Sequence, residues 1–374
     1  MPLPRDVLLL VFRSLSVRER TKCRRVCRRW KSVVESSVPA IFSPAHGPEL
    51  PARALESLKH FRLEKLSLKR FSQMDPSWLP QIAQMTLLKS LILPGPLTYR
   101  ASFQQLSVLK NLHRLECLDV VVNQVEQLVS IIKALPNLRN LMFVILVPKV
   151  TAREGLKAVS NLKALRVLDI ESYVPQSLLM NIISNINGPL WSCRLPLTTL
   201  VSKRFPPSFQ ARRLKLTMTW QSAPLPLGID GLEDLYVIVQ QHDSNDALAS
   251  LFADRPPGLK SLVVDVLDSH GPRRLILDEK TCIQSLTRLE TLSLNFFQVC
   301  LSAFSHLKQL RQLQLYLDYE DGIFDAIARE CINLESLILG KVRIPGETSF
   351  AFHNRVCLIS SLQRELWTGL PTNA

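Results

Sequence analysis

Residues 289–294 read "LETLSL", with leucine at the first, fourth and sixth positions. The same L-x-x-L-x-L outline recurs along the chain. It appears as "LEKLSL" at Leu63, "LKSLIL" at Leu88, "LECLDV" at Leu115, "LRNLMF" at Leu138 and "LRVLDI" at Leu165. It continues as "LWSCRL" at Leu190, "ARRLKL" at Ala211, "LEDLYV" at Leu232 and "LKSLVV" at Leu259. After "LETLSL" come "LRQLQL" at Leu310 and "LESLIL" at Leu334. Successive copies start 21 to 30 residues apart. Twelve copies at such a period mark a repeat architecture.

The alternation predicts a strand in each copy. The fourth and sixth side chains point to one side of it and the fifth to the other. One repeat cannot bury its leucines alone, so neighbours must stack. Between copies lie stretches with apolar residues at helical spacing, at 124–135, 176–186, 246–253 and 322–330. Strand then helix, repeated, predicts an α/β fold: a curved solenoid of about twelve strand–helix repeats with a strand-lined concave face. The period, strand pattern and helical links resemble those of leucine-rich repeats. The array is expected over 61–345. The sixth copy is the weakest, because "LTTLVS" at Leu197 competes for its slot. Residues 346–374, with "FHNRVCLISSLQRELW" at 352–367, are expected to form a helical cap on the last repeat. Pro39, Pro44, Pro48 and Pro51 make 38–60 a short, stiff connector.

Residues 1–37 lie outside the repeat. Leu8, Val11, Phe12 and Leu15 fall on one face of a predicted helix, with Pro4 and Asp6 suited to its start. Ser16 can cap a second, short helix. Further on, "KCRRVCRRWKS" occupies 22–32. Cys23, Val26, Cys27, Trp30, Val33 and Val34 follow helical spacing and predict one unbroken apolar stripe. Lys22, Arg24, Arg25, Arg28, Arg29 and Lys31 then become the solvated side. So small a helical segment cannot build a substantial core and must dock on something.

Leu3, Pro4, Asp6, Phe12, Leu15, Val26, Cys27, Arg28 and Trp30 together resemble the F-box pattern: a Leu-Pro pair, an acidic residue, Phe-x-x-Leu, then Val-Cys-Arg-x-Trp. The resemblance covers residues 3 to about 36. One departure is Arg20 and Thr21, where the family often carries an apolar residue. An F-box (1–37) followed by leucine-rich repeats resembles the substrate receptors of Skp–cullin–F-box ubiquitin ligases. The resemblance implies that the Skp adaptor, and through it a cullin, is bound through Leu3, Pro4, Leu8, Val11, Phe12, Leu15, Val26, Cys27 and Trp30. It also implies that the repeats hold a protein to be ubiquitinated, with the ligase chemistry on other subunits. Substrate identity is not readable. On the strand face, Arg194, Arg213, Lys215, Tyr236 and Tyr316 are the candidate anchors, since Tyr and Arg dominate many interfaces.

Charge and cysteines bound the alternatives. The chain of 374 residues carries a formal charge of +14, which suits an anionic partner. Ten basic against three acidic side chains fall in residues 1–37. The alternatives are therefore a basic repeat protein that binds nucleic acid, or an F-box scaffold acting without the ligase. The basic run lacks interleaved stacking aromatics, so a solvated helix face is the favoured reading over nucleic acid. Eight scattered Cys without a C-x-x-C argue for reduced thiols and a cytoplasmic or nuclear location. Cys23 and Cys27 have no further ligands at zinc spacing, so no metal is expected. The apolar runs Val7–Phe12 and Leu141–Val147 are too short to span a bilayer, so a soluble protein with no signal peptide or membrane partner is expected. No phosphate loop, nucleophile elbow or H-E-x-x-H is present. "QHDSND" at 241–246 lacks the convergent geometry of a triad. No cofactor and no catalysis of its own are expected.

Overall fold

The computed structural model describes residues 5–15, 17–36, 40–42, 55–56, 58–59, 61–69, 71, 75, 77–95, 103–146, 159, 161–171, 179, 182–186, 188–197, 205, 209–219, 229, 231–240, 258–267, 275–277, 286–295, 297–299, 307–316, 323–340 and 359–360. The chain divides into two compact units, 1–174 with 185–188, and 175–184 with 189–374.

In the first unit, three helices lead the chain: α1 (Arg5–Ser14), α2 (Val17–Cys23) and α3 (Arg28–Ser36). Strands β1 (Ala40–Phe42), β2 (Leu63–Ser67), β3 (Ser90–Ile92), β4 (Cys117–Val122), β5 (Asn140–Ile145) and β6 (Val167–Ile170) then pair in parallel, each with the next. Helices α4 (Trp78–Ile82), α5 (Phe103–Ser107) and α6 (Val125–Ala134) lie between them. The predicted helix at 124–135 is α6. Its start is closed by the buried Gln127 side chain, which accepts the Asn123 N–H at 3.0 Å.

In the second unit, β7 (Leu190–Leu197), β8 (Ala211–Thr219), β9 (Asp234–Gln240) and β10 (Ser261–Leu267) pair in parallel in that order. A separate two-stranded pair joins β11 (Leu275–Leu277) to β13 (Phe297–Val299). The main sheet continues through β12 (Thr291–Asn295), β14 (Gln312–Tyr316) and β15 (Ser336–Gly340). Helix α7 (Ile323–Glu330) matches the helix expected at 322–330.

All twelve copies of the pattern form strands, and the register aligns their positions. Leu66, Leu91, Leu118, Leu141 and Leu168 make one buried fourth-position row in the first unit. Cys193, Leu214, Leu235, Leu262, Leu292, Leu313 and Leu337 make the corresponding row in the second. "LWSCRL" is thus the true sixth copy, with Cys193 as a small hydrophobe in a leucine slot. Gly231, at φ +77°, turns the chain immediately before the eighth copy in a conformation that glycine adopts without strain.

The second position of each copy has its own role. In most copies its carbonyl accepts two N–H groups from the next repeat. Lys89 O accepts from Glu116 (2.8 Å) and Cys117 (2.9 Å), and Glu116 O from Arg139 (2.8 Å) and Asn140 (2.9 Å). Glu233 O accepts from Lys260 and Ser261, and Lys260 O from Glu290 and Thr291. Side chains of opposite sign there pair across strands: Lys89 with Glu64 at 3.0 Å, Arg212 with Glu233 at 2.9 Å, Arg311 with Glu335 at 3.5 Å.

Three expectations change. The stripe from Cys23 to Val34 is not one helix: α2 stops at Cys23, a turn follows, and α3 begins at Arg28. The reason is local, since the Cys27 Sγ accepts the Trp30 N–H at 3.4 Å and starts a new helix there. Within 38–60, Ala40–Phe42 is a strand paired with β2, and Leu55 and Leu58 are buried. At the far end, β16 (Ile359–Ser360) pairs antiparallel with Ser336 and Leu337 instead of lying in the expected helix at 352–367. A bare strand edge offers unpaired N–H and C=O groups, and this pairing meets that need. The rest of 352–367, the helix expected at 246–253, "QHDSND" and the four connector prolines lie outside the described residues. No helix among the described residues is long and apolar enough to cross a membrane.

Candidate functional site

Helix α1 is apolar on two faces, "VLLLVF" being too rich for a single stripe. Leu8 and Phe12 take the inward face and are fully buried within this chain. Phe12 meets the Trp30 ring edge to face, centroids 5.4 Å apart. Leu8 and Phe12 are therefore core in this structure, not the open contact expected of them. Burial of Val33 and Val34 on α3 completes that core. On the opposite face, Val7, Leu10 and Val11 stand at i, i+3 and i+4 and are exposed, Leu10 by 63%. Val26 in the turn is exposed by 62%. Cys27 is exposed, and Leu15 and Trp30 are half-buried. Leu3 and Pro4 lie outside the described residues. Of the expected adaptor-facing side chains, Val11, Val26 and Cys27 are thus the open ones. Helical spacing puts Val7 beside the face of Leu8 and Phe12 and gives Leu10 no role, because a single amphipathic face leaves no room for a second apolar row.

Two basic residues are not on the solvated side. Arg20 is buried, and its Nε donates to the Leu15 carbonyl just past α1 at 2.9 Å. It closes a helix end, which gives this departure from the F-box pattern a structural task. Burial lowers its guanidinium below the ordinary range. Arg24 is only 16% exposed, pairs with Glu35 at 2.6 Å, and lies 5.3 Å from the centre of the Phe61 ring. It ties the helical segment to the residues that open the first repeat.

On the strand face of the second unit, Arg194, Lys215 and Tyr236 share one row across β7, β8 and β9, with Arg213 in the row beside them. The Lys215 Nζ sits 4.3 Å from the Tyr236 ring centre. The Tyr236 hydroxyl donates to Asp265 Oδ2, and burial with that bond pushes the phenol up to about 12, so it stays a donor at neutral pH. Arg213 Nε pairs with Asp234 at 2.7 Å. Arg213, Lys215, Asp234 and Tyr236 line an open groove of about 320 Å³ with Ser192, Ser261 and Val263. Tyr316 lies in β14, three strands beyond β9, and is not brought to this group.

Sequence reasoning missed Trp191, although a signal was present. Eleven copies carry Glu, Lys or Arg at the second position, and the sixth alone carries an aromatic ring. Trp191 is 45% exposed, and the Arg212 and Arg213 guanidiniums stand 4.4 and 5.3 Å from its ring centre. Hydrogen bonding from Arg212 holds the Glu233 carboxyl below its usual range, which keeps that ion pair charged.

Residues 2–38 match the F-box-like family model. No curated protein sequence matches the chain. Among solved structures, the crystal structure of the Rad7 and Elc1 complex in yeast is similar at 15% identity and a TM-score of 0.49, covering 92% of this chain and 88% of that one. The mouse RP105/MD-1 complex is similar at 15% identity and a TM-score of 0.38, covering 83% and 68%. The helices and the family match agree on an F-box-like domain at the N-terminus, and stacked parallel repeat strands of an α/β fold follow it.

Proposed function

We propose that this protein is a substrate-recognition subunit of a Skp–cullin–F-box ubiquitin ligase. The F-box-like segment binds the Skp adaptor, and through it the cullin, while the repeats hold the protein to be ubiquitinated. The chain contributes position, and the transfer chemistry belongs to other subunits. The observation that carries the reading is the F-box-like match at 2–38 on a helix whose outer face leaves Val7, Leu10 and Val11 open beside a closed inner face. Exposed apolar rows of this kind mark protein contacts.

Affinity purification of the full chain tests it. Recovery of the Skp adaptor and cullin from wild type, lost with Leu10→Asp and Val11→Asp together, supports the reading. Adaptor without cullin or ubiquitin transfer points instead to a scaffold outside the ligase. Nuclease-sensitive nucleic acid without adaptor overturns both.

A further inference from the structure

We infer that the face of β7, β8 and β9 around Trp191 binds an extended acidic segment of a partner protein that carries an apolar side chain. This deepens the reading above and rests on the repeats being the part that holds a protein.

Trp191 breaks the charged second-position row. Every other copy places a charge there, and most of these have an opposite charge in the adjacent copy. An exposed indole forgoes that pairing and keeps a large apolar ring in water, a cost that contact with a partner removes. Its setting selects the partner's charge. Arg194, Arg212, Arg213, Lys215 and Lys260 outnumber Glu233, Asp234 and Asp265 by two. In the copies of β12 and β14, by contrast, the same positions carry Glu290, Thr291, Ser293, Arg311, Gln312 and Gln314, whose charges cancel. The cationic character is therefore local to the strands that flank the ring.

The guanidiniums are also held in place. Arg212 is fixed by Glu233 and Arg213 by Asp234, and both are drawn over the indole. Each guanidinium has five donors in a fixed fork, and fixing it beforehand lowers the ordering cost of binding a carboxylate. Three carboxylates within the patch oppose a dense phosphate backbone but leave room for spaced glutamates or aspartates. From β7 to β10 the face spans roughly 14 Å at normal strand spacing, about four extended residues. The hydroxyls of Ser192, Ser261 and Tyr236 offer neutral hydrogen bonds along that path.

The test is fluorescence anisotropy on the full chain with its co-purified adaptor. The probe is a short labelled peptide of glutamates around one phenylalanine. A lysine counterpart and a labelled oligothymidylate serve as controls. The glutamate peptide is expected to bind and the lysine peptide not. Trp191→Ala and Arg213→Ala are expected to weaken it about tenfold each, the effect of losing an interface anchor. Trp191→Phe retains most of the affinity, and Arg311→Ala, in the same row on a distant strand, leaves it unchanged. Equal binding by Trp191→Ala, with an unchanged melting temperature, overturns the proposal. So does equal binding of the lysine peptide, or tighter binding of the oligothymidylate. Adaptor recovered without peptide binding defeats this proposal alone, whereas peptide binding without adaptor upholds it and defeats the ligase reading.

Discussion

The Phe12 ring meets the Trp30 indole edge to face, at 70° and 5.4 Å between centroids, and so locks α1 to α3. Phe12 is fully buried, while Leu10, two residues earlier, is largely open. Phe12→Ala is expected to cost about 3–5 kcal/mol in urea unfolding of the full chain, through lost transfer and a cavity. Leu10→Asp should leave the unfolding midpoint nearly unchanged and abolish adaptor recovery.

Arg24 serves Glu35 and Phe61 at once. Arg24→Ala strands a half-buried carboxylate and is expected to cost about 1–3 kcal/mol. Arg24→Lys recovers only part, because an ammonium cannot reproduce the forked pairing and the stacking together. Urea unfolding followed by circular dichroism reads both.

Leu292 and Ser293 are neighbours with opposite roles in β12. Leu292 is buried in the fourth-position row, and Leu292→Ala is expected to cost about 2–5 kcal/mol. Ser293→Ala, on the other face, stays within about 0.5 kcal/mol.

The repeat strands were legible because a period-2 burial pattern inside a longer period leaves little freedom. Leu118, Val120 and Val122 in β4 are all buried, as the alternation demands. What the sequence did not show came from short-range competition. The spacing from Cys23 to Val34 fits one helix, yet a single sulfur contact from Cys27 to the Trp30 N–H starts a new one. Ala40–Phe42 carries no leucine pattern and becomes a strand only because β2 offers an edge. At the candidate sites, Arg194, Arg213, Lys215 and Tyr236 converge because register follows the leucines. Helical spacing placed Leu8, Val11 and Phe12 on one face, but it could not say which of α1's two apolar faces the chain would use for itself.

The second-position charges are expected to behave as surface pairs. Glu64→Lys and Lys89→Glu should each cost up to about 1 kcal/mol, and the double exchange should restore most of it. Raising the salt concentration shrinks the coupling, which a double-mutant cycle at two ionic strengths measures.

Alkylation separates the thiols. Cys27 is exposed and should react with iodoacetamide in the folded protein, whereas Cys193 and Cys331 should react only after unfolding. Burial pushes the Cys331 thiol up to about 11, above its ordinary value of 9.0. The unfolded chain therefore releases this proton first. The thiol's contribution is constant below about pH 9 and falls as pH rises towards 11, which urea midpoints across that range check.

Strand β1 follows α3 after a few residues and pairs with β2, and Arg24 bridges to Phe61, so the helical segment and the first repeats share one compact unit. In the proposed ligase, this makes reach a property of the fold. A freely tethered module would sample a broad cloud of positions at low effective concentration. A module fixed in place concentrates delivery on a narrow set of directions. The direction in which the first repeats leave the adaptor would then be set by the fold, and lengthening the chain between Ser36 and Ala40 with glycines would blur that direction while the adaptor still binds.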